Sequence, residues 1–285
     1  MSKIEIQSLT KRYRGKTALD EVSLSIAKGS IYGLLSRNGA GKTTLMNMVG
    51  NRDFPTSGKV LLDGENVMEN DRLLRRIYCM GADDLIPAYM RVRDVIKSTK
   101  FFYKGFDGEY AEKLCGQFGL DMKKRMSQLS TGYRTIAKVI FAMSSGAEFI
   151  FLDEPTLGVD ANHRELLYRL ILERFEQTEA AFIISTHLID ECAGLFERCF
   201  VIRDGKLIAD EDSDSLRRSC YLVEGKTVDV DSYIKGREVL TRSEVGSLCS
   251  ACIKGEAEDV PDSLEISQPT LQQLLIAMTG GENNA

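Results

Sequence analysis

An apolar strand that runs straight into a glycine-rich loop closed by Gly-Lys-Thr constrains this chain more than any other feature. The strand residues Gly33, Leu34 and Leu35 lead into Ser36, Arg37, Asn38, Gly39, Ala40, Gly41, Lys42, Thr43 and Thr44. Small residues let consecutive backbone N–H groups turn inward on a polyphosphate. Lys42 adds a point charge at the β and γ positions, and the Thr43 hydroxyl can ligate Mg²⁺. The helix expected to start near Lys42 aims its positive dipole at the same anion. A nucleotide is therefore the expected ligand. Ser36 stands where the usual loop begins with Gly; a left-handed backbone there would cost about 1–2 kcal/mol.

The chain has 285 residues, 43% hydrophobic and 28% charged, enough for one large domain and a small second one. No apolar run approaches the roughly 18 residues needed to cross a bilayer. The first residues read as an alternating strand without a signal peptide, so the expectation is a chain that is neither a channel nor exported. A net charge of −5 argues against a general nucleic-acid surface. The clusters Arg72, Arg75, Arg76 and Lys123, Lys124, Arg125 read as solvated helix faces. Seven cysteines, an odd number in a long chain, suggest reduced thiols in a cytosol. Cys249 and Cys252 form a CxxC pair, but with His163 and His187 as the only histidines there is no second half for a zinc site.

Alternation gives strands at residues 3–9 and 23–26, and a continuous apolar run gives one at 31–35. A turn at 55–58 and a strand at 59–62 follow the first helix. From about 85 to 126 the period becomes helical, with Tyr110, Leu114, Cys115 and Phe118 on one face, which reads as an inserted helical subdomain. Strand–helix alternation resumes at 149–152 and 181–185. The fold class expected is α/β, with a mostly parallel sheet covered by helices. Beyond Ala209 the pattern weakens, and a small accessory domain is expected there. Its last element is a helix with Leu271, Leu274, Leu275 and Met278 on one face and Pro269 at the first helical position. The tail at 280–285 reads as disordered.

Asp153 and Glu154 end the apolar strand at 149–152, where ionised groups are expensive unless charge sits opposite. Bound Mg-nucleotide supplies that charge: Asp153 would hold the metal shell, and Glu154 would orient or deprotonate a water attacking the γ-phosphate. Taken alone, Asp-Glu-Pro is also an ordinary exit from a strand. Ser130 sits where the N-cap of an amphipathic helix belongs. His187 falls at the carboxyl edge of another apolar strand, the side on which open α/β sheets bind ligands. Tyr13 is either a packing residue or a platform for a base.

In their order and spacing these pieces resemble the ATP-binding cassette (ABC) family of transporter ATPases, over residues 4–205. The resemblance makes 36–43 the Walker A loop, 129–133 the signature motif, 149–154 Walker B and 157–160 the D-loop. It makes His187 the switch histidine and Tyr13 the aromatic that stacks on adenine. It implies a P-loop NTPase core with an antiparallel β-subdomain, an inserted helical subdomain at about 85–145 within a nucleotide-binding domain at 1–215, and an accessory domain at 216–285. It also implies that Glu154 and His187 are catalytic and that Thr43 and Asp153 hold Mg²⁺. Ser130, Gly132 and Asp160 would complete the ATP site of a partner cassette, either a second copy or a homologue.

The nearest look is to bacterial exporter-type subunits, which implies a separate multi-spanning permease and a place on the cytoplasmic face of the membrane. The stretch from Ile86 to Tyr103, with its aromatics, is where such subunits offer a docking surface. Alternatives from the same residues are a soluble ATP-driven switch and a weakly catalytic regulatory cassette. Departures from the family pattern are Ser36, Thr131, Tyr133 and the absence of a Gln near Gly81 or Ala82. Asp83 or Asp84 would have to substitute for that Gln through water.

Overall fold

The computed structural model describes residues 2–81 and 86–280. Ala82, Asp83 and Asp84, the candidates for the missing Gln, lie outside the described residues, as does the tail after Gly280.

The continuous apolar runs become central strands because every residue in them is covered on both faces. In β3 (Ile31–Ser36), Ile31 and Leu35 enter one core cluster, while Tyr32 and Leu34 enter the other. The strand Phe149–Asp153 divides in the same way, with Ile150 and Leu152 opposed to Phe149 and Phe151. Such two-sided burial is what parallel sheets require.

In chain order, β1 (Lys3–Tyr13), β2 (Lys16–Ala27), β4 (Ser57–Leu62) and β5 (Glu65–Asn66) make an antiparallel four-stranded sheet ordered β2-β1-β4-β5. A six-stranded sheet ordered β10-β9-β3-β8-β7-β6 is the centre of the molecule. It uses β6 (Ile77–Met80), β7 (Phe149–Asp153), β8 (Ala181–Ser185), β9 (Arg198–Arg203) and β10 (Lys206–Asp212). The strands are parallel except for the edge strand β10. The expected α/β class, with a mostly parallel sheet and an antiparallel subdomain, is what the chain adopts.

The helix α1 (Lys42–Val49) follows β3, and the short α2 (Asp71–Leu74) precedes β6. Between β6 and β7 lie α3 (Val92–Phe102), α4 (Gly108–Gln117) and α5 (Thr131–Ser144), the helical insertion. Asp107 caps α4 by accepting from the Tyr110 N–H at 2.9 Å, and Phe118 is buried just beyond it. The aromatics of this region divide. Phe101 and Phe102 are exposed, whereas Tyr103 turns inward and donates its hydroxyl to the Ile77 carbonyl.

After β7 come α6 (Ala161–Thr178) and α7 (Ile189–Cys192), and α8 (Ser213–Arg218) follows β10. The remaining chain forms a four-stranded antiparallel sheet, β12-β13-β11-β14, from β11 (Cys220–Lys226), β12 (Val239–Val245), β13 (Leu248–Lys254) and β14 (Glu265–Ser267). One face of it packs on α9 (Thr227–Tyr233) through Tyr221, Val223, Val230 and Ile253. The other face, with Cys220, Leu222 and Cys252, joins the main core together with α10 (Leu271–Thr279). The division at 215/216 thus falls inside α8. Thr270 is the N-cap of α10, closing a capping box with Gln273, so Pro269 stands before the cap and not at the first helical position. The cysteines are all buried free thiols.

Candidate functional site

The sheet order decides what can meet. β3, β8 and β7 are consecutive neighbours, so the loops leaving their carboxyl ends open side by side. Those loops carry Lys42, His187 and Glu154.

The phosphate loop turns tightly where its glycines require it. Gly41 is the N-cap of α1 with φ of 114°, and a Cβ there would lie 2.6 Å from the Ala18 carbonyl oxygen. Ser36 carries no such demand. It ends β3 in register with Ile202 and has no positive φ, so replacing the usual Gly incurs no left-handed penalty. Its oxygens instead receive the Lys42 ammonium, which donates to Ser36 Oγ at 2.8 Å and to the Ser36 carbonyl at 3.0 Å. Burial pushes Lys42 below its usual pKa, while the charges of Glu154 and Asp153 pull it back up. A desolvated ammonium attracts a bound anion, whereas the carboxylates beside it repel one and call for a cation between them and the phosphates. The β9–β10 turn braces the loop, with the Gly205 N–H donating to the Ala40 carbonyl at 3.2 Å.

Asp153 is 4% exposed and held on both oxygens. Thr43 Oγ1 donates to Oδ2 at 2.8 Å, and Ser185 Oγ donates to Oδ1 at 2.9 Å. Ser185 is Asp153's cross-strand partner in the β7–β8 register. Glu154, one residue on, has φ of 50°, a conformation that non-glycine residues adopt at a cost and that concentrates at functional sites. Its N–H donates to the Ser185 carbonyl at 2.8 Å, and its Oε2 lies 2.7 Å from His187 Nδ1.

A cleft of about 380 Å³ is lined by Tyr13, Asn38, Gly39, Lys42, Thr43, Asp153 and Glu154 among others, while Ser36, Arg37 and His187 are not among its lining residues. Tyr13 is half exposed at its mouth and fixed by a 2.5 Å hydrogen bond to Asp53 Oδ2, which raises its phenol pKa. The Lys11 ammonium, also bound to Asp53, sits 4.9 Å from the Tyr13 ring centre.

The remaining sequence-predicted residues lie elsewhere. Ser130 caps α5, accepting from the Tyr133 N–H at 3.3 Å. Asp160 caps α6, accepting from the His163 N–H at 3.1 Å and pairing with His163 Nδ1 at 2.6 Å. Gly132 is buried against the D-loop: a Cβ on it would come within 2.2 Å of the Gly158 carbonyl oxygen. Thr135 Oγ1 donates to the Leu157 carbonyl at 2.8 Å, so the signature helix and the D-loop form one packed unit. Ser130, Gly132 and Asp160 are not among the residues that line the cleft. The Arg37 side chain reaches away to the Gly280 carbonyl, to which Nη1 donates at 2.6 Å.

Sequence reasoning missed Lys16 and Ala18 at the cleft, Ser185 behind Asp153 and Asp53 beneath Tyr13. Ser185 had a visible signal, since it closes the apolar run before His187; the others depend on sheet pairing.

The ABC transporter family model matches residues 19–157. The bacitracin transport ATP-binding protein BcrA of Bacillus licheniformis is 31% identical over 75% of this chain and 71% of its own length. The chain belongs to the ABC transporter family. The ABC transporter ATP-binding protein YtrB of Bacillus subtilis is 26% identical and aligns with 98% of this cassette and 99% of its own length. A solved dimeric bacterial ABC transporter cassette superposes with a TM-score of 0.65 at 24% identity, covering 74% of this chain and 98% of that one. A post-hydrolysis cassette structure holding ADP and phosphate has the same fold, with a TM-score of 0.65. The cassette is an ATPase subunit, and no described helix is long and apolar enough to cross a membrane.

The donor set fits Mg²⁺. Thr43 and Asp153 bring two hard oxygen atoms, Oγ1 and Oδ2, within 2.8 Å of each other beside the loop. No cluster of three or more His, Cys, Asp or Glu that could hold a metal is found among the described residues. A metal completed by nucleotide phosphates needs no such cage.

Proposed function

We propose that this chain is the ATP-binding and hydrolysing subunit of a transporter, closing on a second cassette around ATP to drive a separate membrane permease that moves its cargo outward. Residues 1–215 are the nucleotide-binding unit, with 85–145 its helical part and 216–285 an accessory unit folded back on it.

Gly39, Ala40, Gly41 and Asn38 cradle the phosphates, Lys42 and Thr44 flank them, and Tyr13 meets the base. Thr43 and Asp153 would hold Mg²⁺, which when bound would supply charge neutralisation for the nucleotide phosphates. Glu154 accepts a proton as water attacks the γ-phosphorus and the bond to the β-phosphate oxygen breaks. His187 fixes the Glu154 carboxylate. Ser130, Gly132 and Asp160, absent from the chain's own cleft, serve the partner's ATP, where the α5 N-terminus favours an anion.

The observation that carries this reading is the Thr43–Asp153 hydrogen bond, which closes the phosphate loop onto the acidic strand end 110 positions away. For the permease, the support is exposed aromatic side chains in the stretch 86–103: Tyr89 is 73% exposed, Phe101 84% and Phe102 63%. Outward transport rests on the exporter-type look of the chain.

The test is nucleotide titration of wild type and Lys42→Ala, followed by purification from native membranes. Loss of tight ATP binding in the variant and recovery of the wild type with a multi-spanning protein are expected. Unchanged affinity removes the phosphate-loop assignment, and consistent recovery without a membrane protein favours the soluble switch.

A further inference from the structure

We infer that α10 is a strap that positions the phosphate loop and the switch segment together, with Arg37 and Asp190 as its two positioning residues in ATP turnover. The inference deepens the ATPase reading and rests on it.

The two ends of this one helix bind two different parts of the site. At its start, Asp190 in α7 accepts from Thr270 Oγ1 at 3.1 Å and from the Gln272 N–H at 3.2 Å. At its end, Arg37 donates to the Gly280 carbonyl at 2.6 Å, and Arg203 donates to the Met278 carbonyl at 2.8 Å. An anion at the N-terminus and cations on the terminal carbonyls both complement the helix dipole and satisfy groups that the helix leaves unpaired.

Each anchor is joined to a group that would act on ATP. The Arg37 carbonyl accepts from Ser36 Oγ at 3.0 Å, and Ser36 Oγ in turn receives the Lys42 ammonium at 2.8 Å. Asp190 lies in the first turn of α7, three residues after His187, which holds Glu154. The same short helix is tied to the D-loop, since Glu191 takes a bidentate pair from Arg164 while Arg164 Nη1 donates to the Val159 carbonyl.

The strap is rigid because Leu271, Leu274, Leu275 and Ala277 are buried in the main core. Displacing one anchor therefore pulls on the other. Charged hydrogen bonds fixed before the ligand arrives lower the reorganisation needed when it binds. The accessory sheet shares this core through Cys220, Leu222 and Cys252, so the C-terminal region has a mechanical route to the nucleotide.

The test is a double-mutant cycle in the full cassette, pairing Arg37→Ala with truncation after Thr279, which removes the Gly280 carbonyl. ATP KM, kcat and thermal melting are read for each form. Arg37→Ala is expected to raise KM roughly threefold to tenfold in the full chain and to have little further effect in the truncated one. Arg37→Lys, which keeps a cationic donor, recovers most of the loss; it also carries the test if the alanine variant does not fold. Asp190→Ala lowers kcat more than it changes KM, because it loosens the segment carrying His187. Additive effects of Arg37→Ala and truncation would overturn the strap, since Arg37 would then act on ATP directly. A wild type that hydrolyses ATP normally keeps the ATPase reading intact in that case, whereas an inactive wild type sinks the reading itself.

Discussion

Nδ1 of His187 lies 2.7 Å from Oε2 of Glu154, joining the end of β8 to the residue that leaves β7. Glu154 is held there with φ of 50° by backbone bonds to Ser185 and Leu157. In the proposed reaction, this carboxylate, kept in a sparsely populated conformation and oriented by an imidazole, would take the proton of the attacking water.

Removing the imidazole should therefore damage chemistry and spare binding. His187→Ala is expected to lower kcat roughly 100-fold or more, the range that positioned acid–base groups supply. ATP affinity should stay within about twofold, because the phosphate loop does not depend on His187. Steady-state kinetics with separate nucleotide titration check this, and a loss confined to affinity would reassign His187 to ground-state binding.

Gly132 has a packing reason to be glycine that is separate from any partner contact. With the Gly158 carbonyl oxygen 2.2 Å from where a Cβ would stand, Gly132→Ala must push the signature helix off the D-loop. The expected cost is about 1–3 kcal/mol of stability, as for other overpacked contacts. Chemical denaturation measures it; a neutral result would mean that the D-loop yields freely.

Arg76 staples the N-terminal antiparallel sheet to the central one and gives acid stability a specific component. Its Nε donates to Glu148 Oε1 at 2.6 Å, and its Nη2 donates to Asp63 Oδ2 at 2.7 Å. The Arg76 guanidinium holds the Glu148 carboxyl below its ordinary value, against the opposing effect of burial. A depressed folded pKa stabilises at pH values above the unfolded one and loses that contribution as pH falls through the folded value. Glu148→Gln should therefore cost about 1 kcal/mol near neutrality, a modest figure because the pair is partly exposed. The gap to wild type should narrow as pH drops below the ordinary Glu range. Denaturation curves across that range test the sign, and a gap that widens on acidification would refute it.

Much of the site was readable from sequence because its parts are local runs. The loop from Ser36 to Thr44, the acidic end of β7 and the Ser130 cap each declare themselves within a few residues. What could not be read was adjacency. Ser185 holds Asp153 only because β8 pairs with β7, and Tyr13 is fixed by Asp53 across 40 positions. The C-terminal sheet escaped notice because β11 buries Cys220, Tyr221, Leu222 and Val223 in succession, leaving no period of two. The apolar face of α10 was legible, but its destination was not, since Arg37 and Gly280 are 243 residues apart.

ATP-dependent assembly of Glu154→Gln, followed by light scattering with bound nucleotide counted, tests the central claim most directly. The variant should bind ATP, hydrolyse it orders of magnitude more slowly than wild type, and accumulate as a dimer holding two ATP molecules. A variant that turns over ATP at the wild-type rate, or that stays monomeric when saturated with ATP, would contradict the account.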